Sequence, residues 1–79
     1  MIGAQLRAAR ALLGWSAQDL ADKSGVGVTT IRKNELVEGP VKMIHANVEV
    51  LTRAFANAGV EFIPENGGGA GVRLAKPAV

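Results

Sequence analysis

Two glycines, Gly14 and Gly25, divide residues 4–36 into three short stretches of helical periodicity, and that punctuation constrains the fold more than any other feature of the chain. In residues 4–13, Leu6, Ala9 and Leu13 recur at spacings of three and four, with Arg7 and Arg10 displaced to another face. That spacing predicts a short amphipathic helix ended by Gly14. Ser16 then offers an N-cap, with Asp19 three residues on and well placed for the positive end of the new helix. Leu20 and Ala21 point inward, and Ser24-Gly25 closes this second helix with a residue that tolerates left-handed backbone. A third helix is expected from about Val28 to Leu36, with Val28 and Ile31 inward and Thr29, Arg32 and Lys33 turned outward.

Glu38-Gly39-Pro40 breaks the helical run, because proline has no N–H to donate and glycine tolerates turn geometry. From about Ile44 a fourth helix is expected, with Val48, Leu51, Phe55 and Ala58 forming one apolar stripe and Gly59 at its end. The character then changes. Val60-Glu61-Phe62-Ile63 alternates as a strand does, and Gly71 to Ala75 could pair with it across the Asn-Gly-containing loop 64–70. A lone two-stranded hairpin is marginal in water, so it must pack on the helices or pair with a second copy of itself. We therefore expect residues 1–58 to form the helical domain and 59–79 to complete the same compact unit. The final Lys-Pro-Ala-Val is expected to be frayed.

Seventy-nine residues, 48% of them hydrophobic, can build one small core, although only two Phe and one Trp contribute large rings. Self-association often assists a core of that size. The absence of cysteine rules out a disulfide framework and a Cys-based zinc site. No apolar run approaches the roughly 20 residues of a membrane span, and no signal-peptide pattern precedes the domain, so a cytoplasmic protein without membrane partners is expected. The net charge of +2 is unevenly spread: residues 1–33 carry five cations against two aspartates (+3), and residues 34–79 four cations against five glutamates (−1). The basic excess coincides with the paired short helices, as phosphate binding would require, although a solvated charged face is the commoner reason for such a pattern.

Two short helices joined at Gly25, the second with a hydroxyl- and cation-bearing face, outline a helix-turn-helix, which sets its second helix in the major groove of DNA. Thr29 and Thr30 suit base edges and the thymine methyl; Arg32 can pair bidentately with guanine or clamp a phosphate; Lys33 reaches a phosphate as a point charge. Ser16 stands at a helix N-terminus, where free N–H groups suit a phosphate. Spacing alone leaves open a generic helical hairpin with solvated Thr, Arg and Lys.

The residues go further. Gly14-Trp15-Ser16-Ala17-Gln18-Asp19-Leu20-Ala21, Ser24-Gly25-Val26 and Thr30-Ile31, followed by Glu35, resemble the Cro/C1-type, or xenobiotic-response-element, helix-turn-helix regulators over roughly residues 4–58. The tail, with Val60-Glu-Phe-Ile63, Asn66-Gly-Gly-Gly and Gly71-Val-Arg-Leu74, is similar to that of a small bacterial subgroup. The resemblance implies a mainly α, four- to five-helix lambda-repressor-like DNA-binding domain with a C-terminal β-hairpin. It also implies a transcriptional regulator of repressor type, binding a palindromic double-stranded operator as a homodimer, with a second regulatory protein as a further partner. The DNA-binding residues would be Ser16, Ala17, Gln18, Gly27, Val28, Thr29, Thr30, Arg32 and Lys33. Three positions depart from the family pattern. Ala17 replaces a frequent Gln, with Gln18 beside it. Gly27 replaces a Ser or Thr cap. Asn34 stands where an apolar residue is generally buried, so the end of the third helix is expected to be shifted or loosened.

Dimerisation is expected through Val60, Phe62, Ile63, Val72 and Leu74, with help from the fourth helix. Trp15 reads as a core residue rather than a base-stacking one, and His45 as a helix-start residue. Gly67-Gly68-Gly69 lacks the Lys-Ser/Thr ending of a P-loop, and Glu61 with Glu65 has no base partner. No catalytic residue, metal or cofactor is indicated, and an enzyme is not expected. The competing function is a protein-interaction module on the same fold, such as an antitoxin-like or anti-activator subunit. Its motive is the weakened motif beside a hairpin edge able to augment another sheet.

Overall fold

The computed structural model describes residues 1–75; the terminal segment 76–79, read above as frayed, lies outside the described residues. Four helices precede a hairpin: α1 (Gly3–Leu13), α2 (Ala17–Ser24), α3 (Val28–Glu35), α4 (His45–Asn57), β1 (Val60–Ile63) and β2 (Gly71–Leu74). The mainly α, lambda-repressor-like class with a C-terminal hairpin is therefore the observed one. Among the described residues no helix is long and apolar enough to cross a membrane.

The glycine punctuation works through positive φ. Gly14 (φ 66°) and Gly25 (φ 80°) both take left-handed backbone. At Gly14, the Trp15 N–H reaches back to the Arg10 carbonyl (3.0 Å) and the Gly14 N–H to the Ala11 carbonyl (3.1 Å). This pair of bonds satisfies the last turn of α1 and reverses the chain toward α2.

The core is built from one side chain or two per element: Leu6 and Ala9 of α1, Leu20 of α2, Ile31 of α3, Leu51 and Phe55 of α4, and Val60 of β1. Phe55 is its hub. Its ring lies 5.8 Å from that of Trp15, nearly parallel at 21°, and 5.6 Å from that of Phe62 at 56°. Both separations fall in the favourable range for aromatic pairs. Trp15 is thus a partly buried core residue, as expected, and Lys23 lies 5.1 Å over its ring. Of the apolar stripe read on the fourth helix, Leu51 and Phe55 are buried while Val48 and Ala58 are only half-buried.

The hairpin pairs Val60 with Leu74, Glu61 with Arg73, Phe62 with Val72 and Ile63 with Gly71. It rests on α1 and α4. One residue fastens it that the sequence had not marked. The buried Gln5 side chain donates to the carbonyls of both Ile63 (3.1 Å) and Gly71 (2.9 Å), bridging the strands where the loop leaves them. Its carbonyl oxygen accepts the Ile2 N–H (2.9 Å), capping α1 at the same time.

The start of α1 also clasps the connection between α3 and α4. Gly3 donates to the Gly39 carbonyl (3.1 Å) and Val41 to the Met1 carbonyl (3.0 Å). A β-carbon on Gly3 would overlap the Val37 carbonyl oxygen and lie 2.6 Å from that of Asn34. In an open helix Gly→Ala stabilises by up to about 1 kcal/mol. Here the sign should invert, because backbone carbonyls cannot yield as a flexible side chain can. Gly3→Ala is expected to destabilise the fold by about 1–3 kcal/mol, read as a lowered melting temperature; an unchanged or raised one would disprove the close approach.

Candidate nucleic-acid interface

The second helix begins with a reciprocal cap. Asp19 N–H donates to Ser16 Oγ and Ser16 N–H to Asp19 Oδ2, both at 2.9 Å. Hydrogen bonding from the Ser16 backbone and side chain holds the Asp19 carboxyl below the usual carboxylate range. At the other end, Ser24 Oγ donates to the Leu20 carbonyl (2.7 Å) and accepts the Val26 N–H (3.1 Å), so one hydroxyl ties the last turn of α2 to the first residue beyond Gly25. Val26 is buried, and with Leu20 and Ile31 it fixes α3 against α2 from the inside.

This packing decides what each residue named in the sequence can offer. Thr29, Arg32 and Lys33 are exposed along the outer face of α3, with Thr30 half-buried beside them. Val28 is half-buried against the core, and Gly27 is an exposed N-cap with no side-chain bond to give. Ser16 and Gln18 are exposed at the start of α2, where Gln18 already donates to Asp22 Oδ1 (2.9 Å). Ala17 differs from expectation. It is 7% exposed and belongs to the core, so only its backbone N–H is available at the helix N-terminus. Alanine fits there because a long polar side chain would have to leave the core.

The far end of α3 is held by charge. Arg10 makes a bidentate pair with Glu35, Nε to Oε2 and Nη2 to Oε1, both 2.8 Å, and a third bond from Nη1 to the Trp15 carbonyl (2.8 Å). The Glu35 side chain is only 7% exposed and that of Arg10 23%. The hydrogen bonds Arg10 donates to Glu35 raise its already high pKa, outweighing the desolvation that opposes it. Arg7 donates to the Glu35 main-chain carbonyl, placing a second cation at the negative end of the helix. The basic excess of residues 1–33 is therefore smaller at the surface than the formal count: Arg10 is spent on Glu35, and Lys23 sits over Trp15.

Asn34 corrects the expectation of a loosened helix end. It is 4% exposed, donates Nδ2 to the Thr30 carbonyl (2.8 Å) and accepts the Lys42 N–H on Oδ1 (2.6 Å). A polar residue at an apolar position is accommodated because both ends of its amide are used. It binds α3 to the following loop and sets exposed Lys42 beside the same helix. The sequence signal was present, an isolated amide where an apolar residue was expected, but its loop partner eight positions on had no periodic signature.

The hairpin residues named for dimerisation divide. Val60 is 2% exposed and lies in the core of its own chain, so it has no surface left for a second copy. Phe62 and Val72 are half-buried against that core, leaving Ile63 half-buried and Leu74 at 56% exposure. His45 starts α4 as expected and pairs with Glu49 (3.1 Å), while Glu61 is taken by Arg73 across the strands (2.7 Å). Among the described residues no group of three or more His, Cys, Asp or Glu could hold a metal ion.

A capped first helix, a glycine turn and a second helix with an exposed Thr/Arg/Lys face define a DNA-binding helix-turn-helix domain. Residues 6–35 match the helix-turn-helix family model, which supports the Cro/C1-type resemblance of this segment. No curated protein matches the chain.

Two outcomes test the site's scaffold. Glu35→Gln leaves the half-buried Arg10 without its counter-charge and should cost about 1.5–3 kcal/mol in urea unfolding; a loss below about 1 kcal/mol would mark the pair as a surface bridge. For the α2 cap, a depressed carboxyl contributes stability that is complete above its unfolded pKa, near about 4. That contribution falls away as pH drops through the lower folded value. Asp19→Asn should therefore flatten the acid limb of the stability–pH curve; parallel curves would argue against the cap.

Proposed function

We propose that the protein is a sequence-specific transcriptional regulator that binds a palindromic operator as a homodimer. The observation that carries this reading is the outer face of α3. Arg32 and Lys33 are exposed there and, among the described residues, neither is paired to a carboxylate, while the inner face and both ends of the helix are pinned. Cations left free on a rigidly held helix suit a polyanion.

In this reading Thr29, Thr30 and Arg32 address base edges from the major groove, and Lys33 addresses phosphate. The open face of Gly27 lets the start of α3 approach the duplex closely. Ser16, the Ala17 N–H and Gln18 meet phosphate at the N-terminus of α2. Two copies would place their α3 helices about 34 Å apart, one turn of duplex. The competing protein-interaction reading draws on Leu36 and Ile44, 81% and 69% exposed. Leu36 stands one turn beyond Arg32 and Lys33 at the end of α3, and Ile44 caps α4; the cations of Arg32 and Lys33, unpaired among the described residues, favour DNA as the occupant of the α3 face.

Selection of bound sequences from a random duplex pool, then titration at several salt concentrations, tests the proposal. Lys33→Ala should weaken binding on all sequences and reduce the salt slope by about one. Arg32→Ala should cost about 1–3 kcal/mol and relax preference at one base pair. Affinity unmoved by both substitutions would overturn the assigned face.

A further inference from the structure

With Val60, Phe62 and Val72 engaged by their own chain, the hairpin has little apolar surface left for a dimer. The outer face of α4 is less committed. It forms a shallow depression of about 400 Å³ lined by His45, Val48, Glu49, Thr52, Arg53 and Ala56. These residues fall in two parallel rows at i, i+4 spacing: Val48, Thr52 and Ala56, and His45, Glu49 and Arg53. The first row is small and largely apolar. Such rows are the ridges by which helices interdigitate, and small side chains permit close approach. Val48 and Thr52 also line a second depression with Phe62 and Pro64, so the face continues onto the edge of the hairpin.

The second row identifies the occupant. Glu49 and Arg53 are exposed, one turn apart, with opposite charge; Arg53 has no carboxylate partner among the described residues. An isologous two-fold contact requires a surface complementary to itself. Helices crossing near Thr52 about such an axis bring Glu49 of each copy to Arg53 of the other, forming two ion pairs around a small apolar centre. We infer that the α4 outer face is the contact between two copies of this chain, with the Glu49–Arg53 row setting its register. This inference rests on the homodimer reading above and names the surface that reading requires. No α3 residue lines this depression, so the Thr29–Arg32–Lys33 face stays outside the contact.

The test is charge reversal on the full chain, read by sedimentation equilibrium. Glu49→Arg presents four cations across the contact and Arg53→Glu four carboxylates, so each should weaken self-association by about tenfold or more. An equimolar mixture of the two should form a heterodimer, and the double exchange E49R/R53E should restore the homodimer. Both positions are exposed, and a wild-type melting curve for each variant excludes unfolding as the cause of dissociation. A wild-type dimer that survives both single reversals would overturn the α4 contact while leaving the homodimer reading standing. A wild-type chain that stays monomeric, alone and on a two-half-site duplex, would overturn both.

Discussion

The geometry of α3 depends on the ion pair between Arg10 and Glu35. An eight-residue helix with no side-chain cap at its start is marginal as an isolated element. Ile31 and Val28 anchor α3 from within, yet two apolar contacts on one face leave its tilt free. The bidentate pair removes that freedom, because a planar guanidinium accepts a carboxylate in few orientations. Arg10 is itself steadied by the Trp15 carbonyl, which belongs to the turn entering α2. One side chain thus ties α1, the α1–α2 turn and the end of α3 into a single frame. The arrangement costs the surface a cation that phosphate could otherwise have used.

Asn34 and Gln5 show a second principle at work. Each is buried and polar, and each joins segments that packing alone would leave sliding. Asn34 holds the loop after α3 through the Lys42 N–H, and Gln5 holds two strand ends through their carbonyls. Among the described residues no buried side-chain nitrogen or oxygen lacks a partner. In a core this small, a satisfied amide specifies a single arrangement where a few apolar contacts would admit several. Leucine in place of Asn34 would fill the volume and release the loop.

What the amino-acid order made legible follows from the range of each interaction. Caps and turns are local: Ser16 with Asp19, Gly14 and Gly25 were each assigned from residues within five positions, and the structure places them as expected. Periodicity assigned faces, so Leu6, Leu20, Ile31, Leu51 and Phe55 were legible as core. Pairings across the chain were not. Arg10 read as an outward cation because nothing near it announces Glu35, 25 positions away. Gln5 had no signal at all, its partners being 58 and 66 positions distant. Alternation in β1 distinguished two faces without revealing that α4 and α1 would cover one of them. That is why Val60 and Phe62 read as interface residues, although Val60 lies in the core and Phe62 is half-buried against it. At Ala17 a motif position suggested contact, and only the packing showed that its methyl group points into the core.

The fourth helix connects the two levels of organisation. Its inner side sends Phe55 to Trp15, whose backbone carbonyl also receives Arg10, so α4 packs directly on the frame that orients α3. Its outer side carries the Glu49–Arg53 row. With two copies joined there, no flexible linker intervenes between the contact of the subunits and the recognition surface, only one helix thickness of packed core. The separation of the two α3 helices then becomes a property of core packing rather than of linker length. Substitutions around Phe55 would alter half-site spacing before they altered contact with any single base. A hairpin-led dimer would instead have to draw on strands whose apolar side chains are already committed, Val60 to the core and Phe62 to the Phe55 ring.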